Sequence, residues 1–202
     1  MLLSNLKLKP REFIKYKFFN SLFLGLSVGS IFTIYSPLNP SIYSIGGILL
    51  AIGMTVVAKF YEKILNIEYF FKISLAVEFI ILFIVLFYLF KPFEYMTALL
   101  IYTGYQLTFM FGSYLLRAET LLLRKNKLLS LVDISKQLGN LSGMLISFLF
   151  YKVINQFFTI TTNSDKVYAV HFILLLTELI IIYFISRSFI TPNKNKRDKN
   201  KS

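Results

Sequence analysis

The sequence predicts an all-α integral membrane protein that crosses the bilayer six times. Long apolar stretches follow one another from about residue 18 to residue 189, separated by short polar joints. Charged residues and prolines gather in the joints, and most basic residues fall in alternate joints. Because a helix needs ~20 predominantly apolar residues to cross the hydrocarbon core, each stretch is long enough for one span.

The predicted spans cover residues 18–36, 42–60, 70–90, 95–116, 130–151 and 168–189. The five prolines lie outside the spans or at their ends, where a missing backbone donor does least harm. Residues 1–17 are predicted to be a basic cytoplasmic tail. Residues 190–202 are predicted to be a second basic cytoplasmic tail, disordered because it is too polar to bury a core.

The orientation follows from the lysines and arginines. Of 22 in total, Lys91, Lys152 and Lys166 fall on one side of the predicted membrane and the other 19 on the opposite side. The positive-inside rule places the richer side in the cytoplasm, and both termini with it. Heavy use of Ile, Phe, Lys and Asn is typical of an AT-rich bacterial genome, so we expect a bacterial inner membrane.

Composition and motifs argue against several functions. A net charge of +12 occurs without the aromatic and basic motifs of nucleic-acid-binding domains, so we expect no nucleic acid partner. The chain has no Cys and one His, which argues against metal sites and other cofactors. It has neither a Gly-x-Ser-x-Gly nor a His-Glu-x-x-His motif. We therefore expect no catalytic residues and no enzyme.

The nine glycines occupy spans 1, 2, 4 and 5 only. Gly25-x-x-x-Gly29 and Gly139-x-x-x-Gly143 each predict a flat helix face for close packing, because small residues let helices approach in lipid. Spans 3 and 6 are bulky and are predicted to be peripheral. This small, small, bulky order repeats after three spans. Glu78 and Glu178 also fall in similar contexts, as an inverted 3+3 repeat or chance similarity would give.

This layout resembles one six-helix half of a major facilitator superfamily transporter, over residues ~18–189. The resemblance implies that the chain works as a homodimer or with a second membrane subunit. The stretch 58–66 is similar to the signature loop of the family and keeps its charges at Glu62 and Lys63, although Ala58, Leu65 and Asn66 depart from it. Arg117 and Glu119 resemble the region between helices 4 and 5. The resemblance implies a cytoplasmic gate at these four charged residues.

Two sets of polar residues within the spans are candidates for function. Glu78 and Glu178 are either proton-accepting carboxylates or protonated groups that bond a neighbouring helix. Five residues are predicted to line a substrate cavity, although the same side chains would also serve as hydrogen bonds between helices. These five are Asn20, Tyr102, Gln106, Ser113 and Asn140.

The sequence thus supports a transporter-like inner-membrane protein that handles a small solute. The alternative is a non-transporting accessory or assembly protein that binds partner helices through its glycine-containing faces.

Overall fold

The computed structural model describes residues 6–157, 160 and 162–191, which form an α-helical bundle. A two-residue strand stands at each end of the described chain. In chain order the elements are β1 Lys7–Leu8, α1 Pro10–Tyr35, α2 Pro40–Lys59, α3 Tyr61–Ile64, α4 Ile67–Phe90, α5 Tyr95–Met110, α6 Gly112–Leu123, α7 Asn126–Phe157, α8 Asn163–Ser188 and β2 Phe189–Ile190.

The all-α class is confirmed, and four of the helices are long and apolar enough to cross a membrane. These are α1, α2, α4 and α8. The chemistry of the joints explains where they begin. Pro10 and Pro40 stand in the first turns of α1 and α2, where a missing N–H costs nothing. The Asn66 side chain caps α4 by accepting from the N–H groups of Glu68 and Tyr69, and Thr162 caps α8 by accepting from Asp165.

Predicted span 4, residues 95–116, is two helices. α5 ends at Met110, and α6 begins at Gly112 after Phe111. Predicted span 5, residues 130–151, lies within the longer helix α7. The chain thus follows the order of the six apolar stretches, with one stretch broken.

The two predicted tails differ from the structure at their inner ends. α1 begins at Pro10, inside the predicted tail 1–17, and Phe13 and Tyr16 lie in the core. β1 pairs antiparallel with β2, matching Lys7 with Ile190 and Leu8 with Phe189. Ile190 therefore belongs to a strand. The part of the predicted disordered tail from residue 192 onward lies outside the described residues.

The long helices pack in a definite order. α1 contacts both α7 and α8, α8 contacts α4, α4 contacts α5, and α5 contacts α2. The main core follows α1, α4 and α8, where Phe13, Leu26, Phe70, Leu174 and Ile181 are buried. α2 is the least buried of the four candidate spans. The prediction that spans 3 and 6 are peripheral is therefore wrong within the single chain.

Candidate functional site

Two glutamates meet in the middle of the bundle. Glu78, halfway along α4, is 1% exposed, and Glu178 of α8 is 0% exposed. Each carboxyl group acts on the other electrostatically, and the two are close enough to share a hydrogen bond once one of them carries a proton. We call these two residues the carboxyl pair. Because α4 and α8 pack side by side, a polar residue on each facing surface is enough to bring the two groups together.

Helix α1 orients one member of the carboxyl pair. The Tyr16 hydroxyl donates to Glu78 Oε1 at 2.7 Å, and Asn20 Nδ2 donates to the same oxygen at 3.1 Å. Tyr16 and Asn20 are four residues apart and therefore share one face of the helix. Since both donors bind Oε1, the other oxygen of Glu78 is left without a donor from α1.

Several oxygens around the pair have no hydrogen-bond partner among the described residues. They are Glu78 Oε2, both carboxyl oxygens of Glu178 and Ser74 Oγ. Ser74 is 1% exposed and lies one helical turn before Glu78 on α4. Unpaired oxygens at this depth cost free energy, because burial removes them from bulk solvent without giving them a donor from the described residues. The site therefore has free capacity for a proton or another hydrogen-bonding species.

A second polar group, which we call the ion cluster, joins α1, α6 and α7. Lys17 Nζ lies 2.5 Å from Glu119 Oε2, and Lys136 Nζ contacts Glu119 Oε1. Lys136 also lies 3.5 Å from Asp133, whose side chain is 61% exposed. Burial raises the pKa of Glu119, but the two ammonium groups outweigh it and hold that pKa below its usual value. Glu119 is therefore ionised and satisfied on both oxygens.

The carboxyl pair and the ion cluster are neighbours. Tyr16 bonds the pair, and the next residue, Lys17, bonds the cluster. Lys17 also acts electrostatically on Glu78, and Glu119 acts on Tyr16. One polar network thus connects α8, α4, α1, α6 and α7. It is the most extensive buried polar arrangement in the part of the chain that the structure describes.

The five predicted lining residues do not form one surface within the chain. Asn20 belongs to the network, whereas the Tyr102 hydroxyl donates to the Tyr43 carbonyl at 3.2 Å beneath α2. Ser113 is exposed in a groove of about 430 Å³ that Tyr61 and Arg117 also line. The prediction placed residues 102–113 on one straight helix, so that their polar side chains would share one face. The break at Phe111 interrupts that face.

Gln106 and Asn140 are the two lining candidates that keep free hydrogen-bonding capacity. Both are half-buried, and Gln106 Oε1 and Asn140 Oδ1 find no partner among the described residues. Each of these buried oxygens would gain from a polar partner that the described residues do not supply.

The four predicted gate residues do not lie together in the structure either. Glu62 and Lys63 are exposed on the short helix α3. The Arg117 guanidinium lies 5.7 Å from the centre of the Tyr61 ring, in cation–π range. Glu119 alone of the four joins the buried network.

The glycines predicted for helix packing lie where α1 crosses α7. A side chain on Gly25 would strike the backbone of Asn140, and one on Gly139 would strike the backbone of Phe18. At Gly143 it would meet the backbone of Leu22 and Leu26. A methyl group on Gly29 would lie 3.4 Å from the Tyr151 ring. This crossing brings Lys17 and Lys136 to the same carboxylate.

Sequence reasoning missed Tyr16, Lys17, Ser74 and Lys136. The two lysines were counted only as orientation signals, although Phe13 and Tyr16 carry the apolar periodicity of α1 back toward Pro10. That periodicity is the signal that could have placed Lys17 on a helix. The site offers no group of three or more His, Cys, Asp or Glu side chains suited to a metal, within the described residues.

Comparison of the chain with family models, curated proteins and solved structures finds no match.

Proposed function

We propose that this chain is a transporter-like protein of the bacterial inner membrane, with six crossings in an inverted 3+3 repeat. It would handle a small solute as a homodimer or with a second membrane subunit. The observation that carries the proposal is the order of helix contacts, α7, α1, α8, α4, α5, α2. The crossings are α1, α2, α4, α5, α7 and α8 in chain order. If the first three are exchanged with the last three, the contact order becomes α2, α5, α4, α8, α1, α7, which is the original order reversed. An inverted repeat related by a two-fold axis produces that symmetry, and such repeats build many transporters.

The buried faces of α4 and α8 support the same exchange. Seven positions of α4 are buried together with the α8 position 100 residues later: 70, 74, 77, 78, 81, 85 and 88. Glu78 and Glu178 stand at one of these matched positions. The same offset of 100 residues therefore aligns the buried positions of the two helices and their two glutamates. The axis of the proposed repeat passes between them.

The proposed topology has support at the chain ends. β1 and β2 pair, and the Lys9 N–H donates to the Ser188 carbonyl at 2.8 Å, so both ends of the described chain lie at one end of the bundle. An even number of crossings is required for this arrangement. The excess of basic residues in alternate joints favours the cytoplasm for that end.

The alternative is an accessory protein that binds partner helices through the predicted glycine faces. Gly25, Gly139 and Gly143 are already used between α1 and α7. Those faces are therefore not available to a partner, and this favours the transporter-like function over the alternative. The unpaired oxygens of Gln106 and Asn140 favour it too, because a solute path needs polar groups that the fold has not consumed.

Cysteine accessibility tests the proposal directly, because the chain has no Cys of its own. Gln106→Cys is placed in membrane vesicles and treated with a water-soluble maleimide. Leu107→Cys is the matched control, since Leu107 is the next residue and lines an apolar groove with Phe79 and Phe83. A water-filled path predicts that position 106 reacts faster than position 107.

Equal and negligible labelling of Gln106→Cys and Asn140→Cys would refute the cavity and favour the accessory role. Topology is tested with the same reagent from each side of the membrane. Lys125→Cys should react from the cytoplasm and Glu94→Cys from the opposite side, and both positions are exposed. Labelling with the sides reversed would contradict the proposed orientation.

A further inference from the structure

We infer that Glu78 and Glu178 form a proton-binding site that holds one shared proton, and that release of this proton drives α4 and α8 apart. The ligand is the proton itself. The inference rests on the proposed function only where it makes this proton the coupling ion of transport. The site and its occupancy stand on the geometry of the carboxyl pair.

A hydrogen bond between two carboxyl groups requires a proton. Ionised carboxylates accept hydrogen bonds and cannot donate them, so two of them in contact have no bond to make. The two donors of α1 are both spent on Glu78 Oε1. Glu78 Oε2 and both oxygens of Glu178 have no donor among the described residues. One proton between the carboxyl groups supplies the missing donor.

The charges of the network also indicate one proton on the carboxyl pair. Within the described residues, Lys17 and Lys136 are the lysines that reach Glu119, and they bring two positive charges. Glu119 supplies one negative charge. A carboxyl pair with one proton supplies the other, so the buried charges sum to zero when Asp133, whose side chain is 61% exposed, is left to solvent. A pair with no proton would leave an uncompensated negative charge in the bundle, which is costly at low dielectric.

The groups that face the pair do not replace the proton. On α1 they are Tyr16, which donates to Glu78, and Lys17, which acts from a distance and bonds Glu119 instead. On α5, Tyr105 lies within electrostatic reach of Glu178. α6 presents Glu119, and α7 presents Lys136 on the far side of Glu119. No lysine or arginine of the described chain forms an ion pair with either member of the pair.

Proton release has a mechanical consequence. The O–H bond on one carboxyl group breaks, the proton passes to water, and the electron pair stays on the carboxylate oxygen. Two negative charges then face each other between α4 and α8 with no donor between them. Repulsion and the gain from hydration both favour separating the helices at this point. The pair lies on the axis of the proposed repeat, so the separation would change the relation between the two halves of the bundle.

Infrared spectroscopy of the purified protein in lipid vesicles tests the inference. The probe is the proton alone, varied through pH in sodium-free buffer. The parental protein should show a protonated-carboxyl C=O band at neutral pH that disappears on alkaline titration. Glu178→Gln should lose the band at neutral pH, because the new amide donates to Glu78 and leaves it a carboxylate with three donors. The exposed Glu68→Gln is the control and should keep the band.

A second variant keeps the test decisive if Glu178→Gln fails to fold. Tyr16→Phe removes one donor from Glu78 Oε1 and disfavours the carboxylate. Its band should persist to higher pH, by about one pH unit for a loss of about 1.4 kcal/mol. Absence of the band from the parental protein would overturn the inference, and so would an unchanged band in Glu178→Gln.

Sodium distinguishes a proton site from a metal-cation site. Adding sodium at fixed pH should leave the band unchanged, and its loss would overturn the inference in favour of a cation site. The cysteine labelling at position 106 does not depend on the pair. A band that behaves as expected in a protein with no accessible cavity would therefore refute transport while the proton site stands.

Discussion

The ion cluster and the carboxyl pair are both buried polar groups, yet their chemistry is opposite. Glu119 of the cluster meets an ammonium group at each oxygen. Glu178 of the pair meets another carboxyl group and has no donor among the described residues. A buried group whose charges are all ion-paired stabilises the fold, whereas a buried group with unpaired oxygens can bind a proton or another ligand. The first is therefore structural, and the second is the better candidate for function.

The largest expected effect breaks the ion cluster. Glu119→Leu leaves the buried Lys17 without a counter-charge and Lys136 with only the mostly exposed Asp133. We expect it to lower the free energy of unfolding by about 3–5 kcal/mol. Glu178→Leu removes one hydrogen bond and leaves Glu78 a carboxylate with its two donors from α1, so its cost should stay within about 1.5 kcal/mol. Reversible unfolding in mixed micelles measures both variants. Equal losses would remove the distinction between the two groups.

The next effect concerns the crossing that positions the ion cluster. Gly143→Leu drives a side chain into the backbone of Leu22 and Leu26. Overpacking of this kind costs about 1–3 kcal/mol, and it should also part Lys17 from Lys136. Gly47→Ala is the matched control, because a methyl group there meets nothing within 4 Å. The same unfolding assay should find the control at parental stability or slightly above. A stable Gly143→Leu protein would show that α1 and α7 separate easily.

The smallest effect concerns the link between α1 and the carboxyl pair. Tyr16→Phe deletes one interhelical hydrogen bond, and such bonds contribute about 0.6–1.7 kcal/mol in membranes. Tyr183→Phe is the control, since the Tyr183 hydroxyl bonds Arg187 of its own helix at an exposed site. Both variants are compared by unfolding in the same micelles. If Tyr16→Phe costs no more than its control, Tyr16 is a neighbour of the pair and not its anchor.

Much of the fold could be predicted because apolar length and capping chemistry are local properties. The bounds of α2, α4 and α8 lie within a few residues of the predicted spans, where Asn66, Thr162 and Pro40 mark the starts. The break at Phe111 could not be predicted in this way. It occurs inside an apolar stretch and without a proline.

For the candidate site, too, local features could be predicted from the sequence and tertiary contacts could not. Both glutamates could be singled out, because an ionisable residue in an apolar stretch is conspicuous on its own. Their contact with each other could not, since it depends on which helices pack together. Lys17 shows the limit most clearly. A lysine next to a span has the same sequence signature whether it orients the chain or bonds a buried carboxylate, and only tertiary structure separates the two.

The crossing of α1 with α7 also has a consequence for biosynthesis. Lys17 leaves the ribosome long before its partner Glu119 does. Translation at ~5–20 residues per second makes this delay roughly 5–20 s. Throughout that interval the first helix holds a cation with no buried carboxylate to receive it, so the end of α1 that carries Lys17 must stay at the aqueous surface. α1 therefore completes its packing only after most of the chain has been translated.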